Sequence, residues 1–272
     1  MKKFLKTCMV GVLAVSAIGS MSACKEDAKE TIYVDTNAYF APFEYYDGTQ
    51  IKGVDVDIMN KVGAKLGKKV VFENTDFDVI IDNVASGKKY DCGAAGITIT
   101  DERAAKVDFS NPYYTSVQYV IYKADDTSFE VKTATDGTAC VFWSDLMGKQ
   151  IGVQRDTTGD IFVNYEMEEG ELVGTTGDCT QYDNAQLAVD AIGANRMDVV
   201  VVDELPAQYI CNANDDYVCK ALYYDLDTAT EEQYAICVTK GNKELLDAIN
   251  AVLAELGEEG INELVSKHLG LE

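Results

Sequence analysis

A single histidine, His268, serves all 272 residues. A Ser-His or Cys-His nucleophilic pair would have to use it, yet it lies in a C-terminal helix pattern with no partner nearby in sequence, and neither GxSxG nor HExxH occurs. CxxC is missing too, so no zinc-ligand spacing exists and no metal or other cofactor is expected. The expectation is a protein that is not an enzyme. Positive charge is equally scarce: Lys and Arg total 23 against 46 Asp and Glu, a net charge of -23. Such a chain repels polyanions, which removes nucleic acid from the possible partners. Beyond the N-terminus no apolar run approaches the ~20 residues that a spanning helix needs, so no permanent transmembrane helix is read.

What is present is an ample core: 47% of the residues are hydrophobic and 10% aromatic, enough for two modest domains or one large one. The first residues, MKKFLKTCMVGVLAVSAIGSMSAC, carry three lysines, an apolar run from Cys8 to about Ile18, and small residues up to Cys24. This is the pattern of an export signal. MSAC resembles the lipobox of bacterial lipoproteins, with Met21 where Leu is commoner, and implies that residues 1–23 are a signal peptide and that Cys24 is lipidated, palmitate included. Residues 24–30 then form a tether, and the expected location is outside the cytoplasm, anchored to the bacterial cell membrane. Six further cysteines (Cys92, Cys140, Cys179, Cys211, Cys219 and Cys237) allow 15 pairings in a compartment that permits disulfides. Cys211 with Cys219, flanking NANDDYV, is the first candidate pair and Cys140 with Cys179 the second. Cys92 and Cys237 lie in apolar runs and read as buried thiols.

From Thr31 strand and helix signals alternate. TIYVDT is β-rich; DVDIMNKVGAKLG sets Ile58, Val62 and Leu66 on one helical face before a Gly67 cap; KVVFE, FDVIIDNVASGK and YDCGAAGITI read as strand, helix and buried strand. After the polar stretch from Lys123 to Cys140 the pattern restarts, with KQIGVQ a strand, NAQLAVDAIGANR a helix and MDVVVVDE a strand whose four valines suit a sheet covered on both faces. ASGKKYDCGAAGIT and IGANRMDVVVVDE echo each other as a loose internal repeat. KELLDAINAVLAELG and GINELVSKHLG close the chain as two amphipathic helices. The fold class is α/β, built from βαβ units with mostly parallel sheets flanked by helices.

Functional groups of parallel sheets gather where strands end. Two positions stand out: the stretch from Gly96 to Arg103, and Asp203, a carboxylate that abruptly follows four valines. Thr100, Asp101 and Glu102 suit a helix's first turn, whereas Arg103 opposes the dipole there. Either Arg103 is a surface residue paired with Asp101 or Asp108, or its fork, the free backbone N–H groups after the strand and the Thr98 hydroxyl converge on a carboxylate ligand. Asp203 reads equally as a helix cap or as a ligand group. Together, a carboxylate-binding Arg and an unpaired Asp would recognise a zwitterion, most simply an α-amino acid.

AYFAPFEYYDGTQIKGVDVDI, GITITDERAAKVDFSNPYY, IGVQRDTTGD and VVVVDELPAQ occur in the order and spacing of the polar amino-acid-binding family of extracellular solute-binding proteins that serve ABC importers, and the chain resembles that family from about Thr31 to Gly270. The resemblance implies a two-lobed periplasmic-binding-protein-like fold of type II with two crossover strands. Lobe one would comprise residues 31–122 and the return segment with the C-terminal helices, 235–272; lobe two would comprise 123–234. The crossings would fall near Val120 to Lys123 and near Tyr234 to Val238. The resemblance puts a ligand carboxylate on Arg103, assisted by Thr98, by the backbone around Gly96 and, across the cleft, by Thr157 and Thr158. It puts an α-amino group on Asp203, walls the side-chain pocket with Phe40 and Phe77, and faces the substituent with Asn37, leaving Phe43 to the core.

Three departures bear on the ligand. Asn37 stands where members that bind cationic side chains commonly have Asp, which disfavours a cation. The usual GTTG is Asp156, Thr157, Thr158, Gly159, preceded by Arg155, which is placed to reach an acidic or amide substituent. The stretch from Phe129 to Leu146 is longer than usual, as a surface elaboration or a lid. The resemblance implies a monomeric protein that captures a free L-amino acid by lobe closure and hands it to a membrane permease. The rival readings are a sensor for a membrane receptor or kinase, and a dehydratase or peptidoglycan-cleaving enzyme on the same scaffold.

Overall fold

The computed structural model describes residues 30–271. The signal sequence, Cys24 and all but the last residue of the tether lie outside them. Two sheets organise the chain. The first has the order Lys69–Asn74, Thr31–Thr36, Cys92–Gly93, Cys237–Val238, Asp108–Phe109, with its first three strands parallel. The second runs Asp178–Tyr182, Gln150–Gln154, Val199–Asp203, Tyr114–Lys123, Tyr217–Tyr223, Ala139–Phe142, Lys132–Thr133. Strands separated in sequence by a helix pair in parallel here, as Gln150–Gln154 does with Asp178–Tyr182 and with Val199–Asp203. The architecture is two-lobed α/β.

Local chemistry explains most elements. The helix Val54–Leu66 buries Val54, Ile58, Met59 and Val62 and stops at Gly67, whose left-handed backbone (φ 65°) donates its N–H to Ala64. Gly63 lets this helix lie against the neighbouring strand, since a Cβ there would fall 2.3 Å from Val70 Cγ2. The four valines from Val199 to Val202 are buried on both faces of the second sheet, as their run implied. The closing helices form one run, Lys243–Leu269, broken at Gly257 (φ 60°). His268 does have partners. Its ring is held by the Tyr45 hydroxyl (3.1 Å) and Asp57 (3.0 Å), which dock the end of this helix on lobe one.

Several expectations need correction. YDCGAAGITI contributes only Cys92–Gly93 as strand, because the chain turns at Gly96 with φ 54°. Val120 to Lys123 lies in the body of the second sheet, paired with both Val199–Val201 and Tyr217–Lys220. The outgoing and returning chains instead meet as Tyr114–Val117 against Glu231–Tyr234, while Cys237–Val238 already belongs to the first sheet. Cys211 and Cys219 are neighbours but remain free thiols, without a disulfide between them. Cys140 and Cys179 are in strands five positions apart, roughly 24 Å at the usual strand spacing, so they cannot bridge. Phe129 to Leu146 is no lid: it adds two short strands to the far edge of the second sheet and buries Trp143 and Leu146 in its core.

Where the sheets join, aromatic rings make a knot. Phe43 packs edge-on against Tyr234 (5.0 Å between centroids) and Tyr114 (5.1 Å), with Phe40 and Tyr113 around Tyr234. Each such pair contributes about 0.5–1.5 kcal/mol beyond its buried area. One apolar cluster runs through this knot, from Ile32 and Val62 to Val200 and Ala207. Beside it Glu44 is fully buried with neither carboxylate oxygen hydrogen-bonded. Desolvation, reinforced by the Asp55 and Asp203 charges, pushes its carboxyl well above the ordinary range. The folded state therefore keeps a proton that the unfolded chain releases near pH 4.5, and stability falls as pH rises above that value. Glu44→Gln is neutral at every pH. It is expected to melt at least about 2 °C above wild type at pH 8, with the gap closing toward pH 5, in thermal melts across that range.

Candidate functional site

Strand ends from both sheets converge on a narrow cleft that is nearly closed. Lobe one supplies Asn37, which directly follows Thr31–Thr36, with Phe40, Phe77, Gly96 and Thr98. Lobe two supplies Gln154 and Asp203, the last residues of their strands, with Thr157 and Thr158 at the start of the helix Thr158–Glu168. This is the topological position at which α/β sheets bind ligands. Eight of the sequence-identified residues line it; Gln154 was not foreseen.

Arg103 borders the cleft without lining it. Thr100 caps its helix by accepting from the Arg103 N–H (3.2 Å). The guanidinium turns inward, donating to the carbonyls of Thr98 (2.9 Å) and Asp156 (2.7 Å) and lying over the Phe77 ring (5.4 Å). It is 94% buried, and no carboxylate among the described residues is in salt-bridge contact with it. Asp101 and Asp108 are not its partners; Asp108 instead accepts from the Gly241 N–H. Burial draws the Arg103 pKa down while the charges of Asp156 and Glu232 oppose that pull, and a guanidinium stays protonated regardless. A buried cation held only by carbonyl dipoles is short of negative charge.

Asp156 is the residue that turns its carbonyl to Arg103, and it does so at φ 62°, a left-handed conformation that glycine adopts more readily than other residues. Arg155 points away to the rim, 3.2 Å from Asp183 and 3.6 Å from Asp78, so it does not reach the cleft. Gly96 serves as space, since a Cβ there would meet the Phe40 ring at 2.8 Å. Its N–H is already given to Asp55 (3.0 Å), which corrects the expectation of a free backbone donor at that residue.

Opposite Arg103 lies a buried polar chain. The Thr158 hydroxyl donates to Thr98 (2.8 Å), and Thr98 donates to Glu232 Oε2 (2.6 Å). The Gln118 amide nitrogen donates both to Glu232 Oε1 (2.5 Å) and to Asp203 Oδ1 (2.7 Å), and the Tyr234 hydroxyl donates to Asp203 Oδ2. Asp203 occupies a helix N-cap, but its side chain makes no capping bond. The reading of Asp203 as a side-chain cap therefore fails, and the carboxylate lines the cleft instead. Glu232, Gln118 and Tyr234 escaped notice there. The one available signal was a glutamine in the middle of the apolar run VQYVIY.

Burial and the neighbouring Asp203 charge push the Glu232 carboxyl up to about 8, and burial raises Asp203 as well. The two therefore share a proton at neutral pH, stabilising the unliganded protein below roughly pH 4.5 and losing that contribution as pH rises toward 8. Glu232→Gln cannot release a proton. The fall in melting temperature between pH 5 and pH 8 is expected to be several degrees smaller in this variant than in wild type, by calorimetry without ligand.

Known proteins resemble this chain along most of its length. The chain belongs to the bacterial extracellular solute-binding proteins, family 3, whose model matches residues 32–271. It is 28% identical to the arginine-binding extracellular protein ArtP of Bacillus subtilis (strain 168), over 98% of this chain and 97% of that one. Identity to the L-cystine-binding protein TcyJ of Escherichia coli (strain K12) is 25%, over 95% and 93%. Among solved structures, an ancestral arginine-binding protein bound to glutamine superposes with a TM-score of 0.73 at 32% identity, covering 89% of this chain and 99% of that one. The holo form of ArgBP from T. maritima gives 0.70 at 31%, covering 86% and 94%.

Proposed function

We propose that this protein is a lipid-anchored, monomeric receptor that takes up a free L-amino acid outside the cytoplasm and presents it to the permease of an ABC importer. The observation that carries the reading is the 94% buried Arg103, with no carboxylate of the described residues in salt-bridge contact, set across the cleft from a buried Asp203. An α-amino acid supplies both missing charges at once. Its carboxylate is assigned to Arg103 with Thr98 and Thr158, and its ammonium to Asp203; Thr157 starts the facing helix, and Phe40 and Phe77 flank the side chain. Burying a zwitterion is tolerable only when both ends are paired, so each lobe must contribute. The names of the relatives, which include arginine-, histidine- and cystine-binding proteins, support an amino acid as the ligand and binding in place of catalysis. Micromolar affinity would correspond to roughly -8 kcal/mol.

Arg103→Ala is expected to weaken amino-acid binding at least about 100-fold in calorimetry, the loss of more than ~2.7 kcal/mol, while the variant keeps its fold by circular dichroism. Wild-type affinity in the variant refutes the assignment. Anchoring is tested separately. Cys24→Ser expressed in a bacterial host is expected to move the protein from the membrane fraction to the soluble extracytoplasmic fraction, and unchanged membrane association would remove the lipid anchor from this reading.

A further inference from the structure

At one end of the cleft two amides form a directed chain. Asn37 Nδ2 donates to the Thr75 carbonyl (2.7 Å), and Gln154 Nε2 donates to Asn37 Oδ1 (3.1 Å). Amide oxygen and nitrogen are told apart by their partners, and here a main-chain carbonyl settles the matter. Thr75 O can only accept, so the Asn37 nitrogen must face it. Asn37 then turns its oxygen to Gln154, which must answer with its nitrogen. Gln154 Oε1 is left over: a buried acceptor with no partner, on a side chain 97% buried. Buried side-chain polar atoms without a partner also occur on Glu44, Gln118 and Trp143, but among the described residues only Gln154 belongs to the lining of the cleft.

We infer that Gln154, oriented by Asn37, is the specificity-determining residue of this cleft, and that it selects a neutral side chain ending in an N–H donor, a carboxamide of the glutamine type. The inference rests on the amino-acid reading above. A carboxamide NH₂ satisfies Oε1, and its carbonyl can accept an N–H that remains on one of the two amides, each of which has used one of two. Phe40 and Phe77 line the same space for the methylenes. A guanidinium or ammonium side chain also donates, but it needs an anion. Asp203 is the one carboxylate in the described lining, already accepts from Gln118 and Tyr234, and is assigned to the ligand's ammonium. Asp78 faces Arg155 at the rim. A carboxylate side chain would set acceptor against acceptor at Oε1, and an aliphatic one would leave that oxygen unpaired in a dry site.

Calorimetry on the mature protein with L-glutamine, L-glutamate, L-arginine and L-methionine, for wild type and Gln154→Leu, tests this. Wild type is expected to bind glutamine at least about 100-fold more tightly than the other three. The leucine variant should lose roughly tenfold to hundredfold for glutamine and gain for methionine, because the orphaned acceptor is gone. Arginine or glutamate outcompeting glutamine on wild type, or undiminished glutamine binding by Gln154→Leu, overturns the inference alone, provided the bound amino acid is lost on Arg103→Ala. Binding of no amino acid at all overturns the parent reading and this inference with it.

Discussion

A guanidinium taken out of water costs several kcal/mol unless negative charge replaces the hydration it loses. The closed cleft does this to Arg103 and returns two carbonyl dipoles. The surrounding design follows from that deficit. Asp156 adopts a left-handed backbone to present its carbonyl, Phe77 offers its ring face, and the neighbouring carboxyls stay out of contact, so that on the proposed reading an incoming anion would have the most to gain. Were Arg103 paired with a resident carboxylate, the same cleft would be a structural ion pair and nothing more.

The opposite end has the complementary problem, an excess of buried carboxyl groups. Asp203 and Glu232 are both buried, bridged by the Gln118 amide and capped by Tyr234 and Thr98. A shared proton makes two carboxyls tolerable in a dry site. On the proposed reading an arriving ammonium would do the same service, which makes the ligand and the proton alternatives for one electrostatic vacancy. The aromatic knot of Phe43, Tyr114 and Tyr234 keeps the strands that carry these groups in place.

Much of the scaffold was legible because periodicity reports burial. Val54–Leu66, Ala185–Gly193 and Val199–Asp203 fold where their apolar patterns place them. Strand order leaves no such trace, and the Cys140–Cys179 pairing failed for that reason. Candidate residues that break a local rule stood out: Arg103 in a first helical turn, Asp203 after four valines. Glu232 and Gln118 follow no such break, since their partnership spans 114 residues and is made by two chain segments meeting. Gln154 is similarly silent; its importance arises from Thr75 through Asn37, a relay no single stretch contains.

Gln118 lies one residue beyond the strand segment Tyr114–Val117 that pairs with Glu231–Tyr234, and Glu232 and Tyr234 belong to that pair. Any hinge opening of the lobes turns about these strands, and groups close to an axis move least. The Asp203 cradle would then stand assembled in the open form, whereas the contacts farther out, Thr98 to Thr158 and Asn37 to Gln154, exist only when the lobes meet. On the proposed reading the two ends work at different times. The fixed end governs how fast any amino acid is caught, and the end completed by closure governs how long a particular one is kept.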